Sequence, residues 1–212
     1  MRRYIIACSG VGERWGNHLG VPKHFIKIDD EPILHRTVRL IRQKDKNCEI
    51  CIMAFTDNYK IENTILCKPT LFKNHYSLPA ILTSKEFWGE EETVLLFGDV
   101  YFTEHAINTI TNTKSNEIVF FGRRQKSNIT LKRYGELFGI YFTKKNQDVL
   151  LKVLNILYNK FQNRQIPRFG GWELYGFKDL PKSFVEIDDL TDDFDFPQDY
   201  YDWIKQYNLF KK

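Results

Sequence analysis

The run Ala7-Cys8-Ser9-Gly10-Val11-Gly12-Glu13-Arg14 follows the apolar stretch Tyr4-Ile5-Ile6 and precedes Pro22-Lys23. Glycines at Gly10 and Gly12 allow a tight turn that brings successive backbone N–H groups onto an anion with no Cβ in the way. Arg14 offers a planar fork and Lys23 a point charge to the same anion, so phosphate is the chemistry this segment suits. Many strand ends turn on glycine, and the nearby basic pair is what makes this one informative. Farther on, Val94-Leu95-Leu96-Phe97-Gly98-Asp99 reads as a buried strand that delivers a carboxylate to its end; capping or turn duty is the plainer alternative for Asp99. The acidic stretch from Glu186 to Pro197 must be largely solvated, but alternation at Asp193 and Asp195 sends both carboxylates to one side of an extended segment. Asp99 and Asp195 together would supply the one or two carboxylates that magnesium takes beside phosphate oxygens and water.

These groups need a scaffold, and the hydrophobic pattern supplies one. Strand-length apolar runs recur at Arg3 to Cys8, Glu49 to Phe55, Thr93 to Phe97, Glu117 to Gly122, Leu137 to Thr143 and Phe184 to Ile187. Helical spacing recurs at Ile33 to Ile41, introduced by Pro32, at Thr103 to Thr113, and at Asn146 to Phe161, where Val149, Val153, Leu157 and Phe161 stand four apart beside Leu150 and Leu154. A last helix is expected at about Pro197 to Tyr207. Alternating strands and helices predict an α/β fold of three layers, a mostly parallel central sheet flanked by helices, with ligands beyond the carboxyl ends of the strands. Gly10 and Asp99 both fall at such ends. No repeat, linker or low-complexity segment divides the chain, so residues 1–212 are read as one domain with a less regular section between about Arg123 and Asp193.

Composition narrows the partners. Thirty-one basic residues against 27 acidic give a net charge of +4, too mixed for a dedicated nucleic-acid binder and compatible with a small polyanion. No window approaches eighteen apolar residues, and Met1-Arg2-Arg3 runs straight into a strand; the expectation is a cytoplasmic protein without a membrane span. Cys48-Glu49-Ile50-Cys51 has redox spacing, but its second cysteine enters an apolar strand rather than a helix, so Cys8, Cys48, Cys51 and Cys67 are expected to be reduced, partly buried thiols. His18 and His24 flank the loop and are candidates to touch phosphate, and the five histidines lack metal-ligand spacing. A homodimer is left open, because an exposed patch and a core face look alike in sequence.

Several separated motifs together resemble the sugar-nucleotide type of nucleotidyltransferase, with a glycosyltransferase-A-like Rossmann fold and the cytidylyltransferase-like members nearest. They are the strand and loop ending Ser9-Gly10-Val11-Gly12-Glu13-Arg14, then Pro22-Lys23, the helix after Pro32, Gly98-Asp99, and Asp193-Phe194-Asp195-Phe196-Pro197-Gln198-Asp199. The resemblance implies transfer of a nucleoside monophosphate from a nucleoside triphosphate to a small phosphorylated acceptor with release of pyrophosphate. Asp99 and Asp195 would hold Mg2+, and Arg14 and Lys23 the triphosphate. Cys8, Ser9, Gly10, Val11, Gly12 and Ser77 would complete the nucleotide site, although Ser77 reads equally as an N-cap. The small Cys8-Ser9 pair favours CTP. On the acceptor side Arg123, Arg124, Lys132, Arg133 and Arg168 are candidates for a second phosphate, and Glu136 and Trp172 for orienting the remainder; a solvated charge or a packed aromatic is the plainer reading of each. The family further implies a role in capsule or other surface polysaccharide assembly.

The chain departs from the family pattern at Glu13, which faces solvent, pairs with Arg14 or signals altered triphosphate handling, at Trp15, and at Phe196-Pro197-Gln198. Two other readings stay open. A glycosyltransferase of the same fold predicts Asp-x-Asp at the central strand end, where this chain has Asp99-Val100-Tyr101. A nucleotide-binding protein without turnover would bind the triphosphate and release no pyrophosphate.

Overall fold

A computed structural model describes residues 1–10, 12–70 and 79–211. In chain order the elements are β1 (Arg2–Ala7), β2 (Lys27–Ile28), β3 (Glu31–Pro32), α1 (Ile33–Lys44), β4 (Glu49–Met53), β5 (Ile65–Cys67), α2 (Ala80–Thr83), β6 (Glu92–Phe97), β7 (Val100–Tyr101), α3 (Glu104–Asn112), β8 (Ile118–Arg123), β9 (Glu136–Thr143), α4 (Gln147–Gln162), α5 (Gly171–Tyr175), β10 (Lys182–Glu186), β11 (Asp192–Asp193) and α6 (Pro197–Phe210). Seven strands form one sheet in the order β10-β8-β9-β6-β1-β4-β5. Four of its six ladders are parallel; β9 runs antiparallel to both β6 and β8.

The sheet is covered on both faces, as the continuous apolar strands require. Alternate residues of β1 divide between two cores. Tyr4 and Ile6 join Leu34, Val38 and Ile41 of α1 and Ile107 and Ile110 of α3 on one face. Ile5 faces the other way, toward Leu150, Val153, Leu154 and Leu157 of α4 and Leu174 of α5. Burying each of the four α4 side chains contributes about 1.5–3 kcal/mol, which is what holds this helix on the sheet. Val149 and Phe161, the ends of the expected stripe, are half-buried beside it. Among the described residues no helix is long and apolar enough to cross a membrane.

The section expected to be less regular is irregular mainly at 124–135 and 163–170; β9, α4, α5 and β10 occupy the rest. No helix lies between β8 and β9, and this is why β9 returns antiparallel: a short connection cannot make the crossover that a parallel neighbour needs. A third apolar cluster sits off the sheet, where Trp15, Ile26, Ile33, Tyr101, Phe194 and Trp203 join the first loop to α6. The four cysteines are unpaired; Cys8, Cys51 and Cys67 are buried and Cys48 is half-buried, as expected of reduced thiols.

Candidate active site

A cleft of about 570 Å3 opens at the carboxyl ends of β1 and β6. One wall carries Ser9, Gly10, Gly12, Glu13, Arg14 and Lys23, the floor Phe97 and Asp99, and the opposite wall Glu136, Leu137, Gly171, Trp172 and Asp193, with Asp195 between them.

The first loop is held by its own backbone and by one aromatic. Gly12 has φ +66°, a conformation that a side chain disfavours, and its carbonyl accepts from the N–H groups of Trp15 (3.0 Å) and Gly16 (3.2 Å). Trp15 is 2% exposed, and its indole Nε1 donates to the carbonyls of His18 (3.1 Å) and Val21 (2.9 Å). Trp15, one of the departures noted in the sequence, therefore anchors the turn bearing Arg14. Glu13 is exposed at the cleft rim, and Arg14 turns instead to Asp195.

Asp99 and Asp195 meet because of a two-residue ladder that no local pattern announces. In β7 and β11, Val100 pairs with Asp193 and Tyr101 with Asp192 in antiparallel register. The pairing extends one step further, the Phe194 N–H donating to the Asp99 carbonyl at 3.2 Å. Phe194 is fully buried against Trp203 and Tyr200, so alternation turns its neighbours Asp193 and Asp195 to the cleft side. Gly98 is obligatory at the strand end: a Cβ there would lie 2.3 Å from Cys8 Sγ and 2.9 Å from the Ala7 carbonyl oxygen.

The charges on this side are closely matched. Lys23, set by Pro22 in a short 3-10 turn, is 8% exposed and places Nζ against Asp99 Oδ2 and 3.3 Å from Asp195 Oδ1. Arg14 grips Asp195 with both guanidinium NH2 groups at 2.8 and 2.9 Å. Burial works to raise the Asp99 carboxyl, but the Lys23 ammonium outweighs it and holds the group below the ordinary range. Burial likewise works against the Lys23 charge, and Asp99 and Asp195 raise its pKa above the usual lysine value.

On the opposite wall carboxylates outnumber cations. Asp193 is buried and pushed up to about 7 by desolvation, with Lys132 opposing and Asp99, Asp192 and Asp195 adding to the rise. Glu136 is pushed up to about 9, again first by burial, then by Asp193. Trp172 stacks on Phe184, its ring 6.3 Å away at 13°, and joins Glu136 on the cleft.

Of the residues expected to form the site, Ser9, Gly10, Gly12, Arg14, Lys23, Asp99, Asp195, Glu136 and Trp172 come together on the cleft. Cys8 lies beneath it, 3% exposed under Gly98. Val11 and Ser77 lie outside the described residues, as does the rest of the segment Asn74 to Leu78. Two acceptor candidates need correction. Arg123 is 1% exposed and bonded to both oxygens of Asp192 at 3.2 Å and to the Thr191 carbonyl, with its guanidinium over the Phe138 ring; these partners offset the cost of its burial and hold it in the interior, off the cleft. Lys132 stands behind the wall, its Nζ 3.0 Å from Asp193 Oδ1 and 3.4 Å from Asp199 Oδ2. Arg124 and Arg168 are tied to Glu186 and Glu173, and neither lines the cleft. Asp193 and His24 also line the cleft. The Asp-x-Asp alternation pointed to the first, whereas the second carried no signal beyond its place after Lys23.

Magnesium suits this donor set. Both carboxylates offer hard oxygen atoms, and both already reach a single cationic atom, Lys23 Nζ. Magnesium takes one or two protein carboxylates and leaves its remaining positions to phosphate and water; among the described residues no group of three or more His, Cys, Asp or Glu is placed to hold a metal ion.

No protein-family model matches the sequence, and no curated protein matches it. Solved structures do. The chain superposes on the inositol-1-phosphate CTP transferase from T. maritima with a TM-score of 0.59 at 14% identity, covering 97% of this chain and 96% of that one. For the CTP:phosphocholine cytidylyltransferase from Streptococcus pneumoniae the TM-score is 0.60 at 13% identity, with 98% and 99% covered. For the 4-diphosphocytidyl-2C-methyl-D-erythritol synthase from Anaerococcus prevotii it is 0.58 at 13% identity, with 100% and 99% covered. Similarity over nearly whole chains on both sides shows that this protein has the nucleotide-diphospho-sugar transferase fold shared by these nucleotidyltransferases.

Proposed function

We propose that the cleft transfers a nucleoside monophosphate from a nucleoside triphosphate, CTP favoured, to a small phosphorylated acceptor in the cytoplasm. The observation that carries this reading is the convergence of Asp99 and Asp195 on Lys23 Nζ beneath a glycine turn bearing Arg14. In the reaction an oxygen of the acceptor phosphate forms a bond to the α-phosphorus as the bond from that phosphorus to the bridging β-oxygen breaks, and pyrophosphate leaves. No protein nucleophile is needed, because positioning and charge neutralisation supply the rate. Arg14 and Lys23 bind the triphosphate oxygens, and the N–H groups of the glycine turn approach the same anion. Magnesium, held by Asp99 and Asp195, would neutralise charge on the reacting phosphoryl group and on the departing pyrophosphate. Glu136 and Trp172 orient the acceptor from the opposite wall. The CTP-using transferases that this chain resembles in structure support the class of reaction, and the small residues Cys8 and Ser9 support CTP. The product would be an activated precursor for surface polysaccharide.

The test is pyrophosphate release from each of four nucleoside triphosphates with magnesium, measured against a panel of phosphorylated acceptors. Release with CTP and one acceptor, abolished by EDTA and by Asp99→Asn, is the expected result. Binding of triphosphate without release under any pairing would refute transfer.

A further inference from the structure

His24 is 3% exposed, yet it lies on the cleft wall between Lys23 and the end of β6. Its ring is fixed on two edges. Nδ1 stands 2.9 Å from the Tyr59 hydroxyl, with the two rings edge to face at 5.5 Å and 70°. The Cδ2 edge lies over Gly98, where a Cβ would come within 3.2 Å of it, so the glycine before Asp99 makes room for this imidazole as well as for Cys8. The other nitrogen, Nε2, adjoins that Cδ2 edge at the end of β6, and among the described residues it has no hydrogen-bond partner. Burial, reinforced by the Lys23 charge and opposed by Asp99, keeps the ring neutral, with its pKa pushed down to about 4. A neutral imidazole carries one proton, and the partner of one nitrogen decides where the proton sits.

The geometry points to His24 as a phosphate-contacting residue of this cleft: Tyr59 donates its O–H to Nδ1, and the Nε2–H this leaves donates to an oxygen of the nucleotide's phosphate chain. The inference rests on the nucleoside triphosphate reading of the site and adds a donor to it that brings no charge. That matters beside Asp99, because a second cation there would compete with Lys23 and with the metal for the same carboxylate. Tyr59 is a positioning residue; its hydroxyl can donate or accept, and it acts through the Nε2–H tautomer that its donation to Nδ1 selects.

Gln and Asn separate this role from a packing role, since a Gln carboxamide reaches the position of Nε2 while an Asn carboxamide stops near Nδ1. With parent activity as reference, His24→Ala and His24→Asn should lower kcat/KM for the nucleotide about 10- to 100-fold, with the acceptor KM unchanged. His24→Gln should recover most of that loss, and Tyr59→Phe should cost less than His24→Ala. Nitrogen NMR on histidine-labelled parent protein gives a readout that needs no turnover: the His24 proton should reside on Nε2, and that resonance should shift on addition of inorganic pyrophosphate. Equal loss in the Gln and Asn variants, unchanged kinetics in His24→Ala, a proton on Nδ1, or no shift with pyrophosphate would each overturn the assignment. If the parent releases no pyrophosphate from any triphosphate, the transferase reading fails on its own and the pyrophosphate shift alone decides the phosphate contact. Should a variant unfold, the parent spectra decide.

Discussion

The two walls of the cleft solve opposite electrostatic problems. On the glycine-loop side each buried charge faces an opposite one: Lys23 bridges Asp99 and Asp195, and Arg14 closes on Asp195 as a bidentate fork. On the far side Glu136 and Asp193 face the cleft together, and Lys132, the cation nearest to them, is drawn back between Asp193 and Asp199. The first wall is preorganised for an anion at little electrostatic cost. The second stores unfavourable like-charge contact and desolvation where the acceptor is proposed to sit, a pattern found where function is favoured over stability. Removing a charge from one wall should therefore have the reverse effect from removing one on the other.

The largest effect is expected beneath the second wall. Arg123→Met leaves Asp192, whose side chain is 3% exposed, as a buried charge without its ion-pair partner, and should cost ~3–5 kcal/mol in denaturant unfolding. A loss within experimental error would mean that this pair does not brace the Asp193–Asp195 segment. On the first wall, Asp99→Asn should lower the rate of pyrophosphate release by ~10²–10³ or more, measured at saturating substrates; full activity would remove Asp99 from the charge machinery. Arg14→Lys keeps the charge and loses the fork. Because the Arg14 side chain is 60% exposed, its pair with Asp195 should contribute under ~1 kcal/mol to stability, so this variant should melt with the parent while its KM for nucleotide rises.

The last effect carries the opposite sign. Folding raises the Glu136 carboxyl from 4.5 to about 9, so between those values the folded chain holds more proton than the unfolded chain, and stability falls as pH rises through the window. Gln does not titrate. Glu136→Gln should match the parent near pH 4.5 and melt higher at pH 8, by roughly 2–4 °C for each kcal/mol relieved at this chain length. A variant that melts lower at pH 8 would show that Glu136 supports the fold and that the contrast between the walls is wrong.

Much of the scaffold was legible because burial imposes a period. Continuous apolar runs marked β1, β4, β6, β8, β9 and β10, and the fourfold spacing of Val153 and Leu157 marked α4. The short elements β5, β7, β11 and α5 were not legible, since two to five residues carry no period to read. The site was legible in its residue types. Glycine turn, Arg14, Lys23, Asp99 and Asp195 could be named from what phosphate and magnesium require. The basic residues at 123 and 132 misled for the same reason: type announces what a side chain can bind, and only its surroundings decide what it does bind.

From the sequence alone followed the layered α/β class, the loop and the types of the groups on the glycine-loop wall, because hydrophobic period and side-chain chemistry are local properties. The tertiary structure decided which charges meet. Asp99 and Asp195 are 96 positions apart by number and come together through the β7–β11 register, while Arg123 and Lys132 are consumed by Asp192, Asp193 and Asp199. Long-range register is set by how whole strands and buried aromatics such as Phe194 pack, and no window of sequence contains that information.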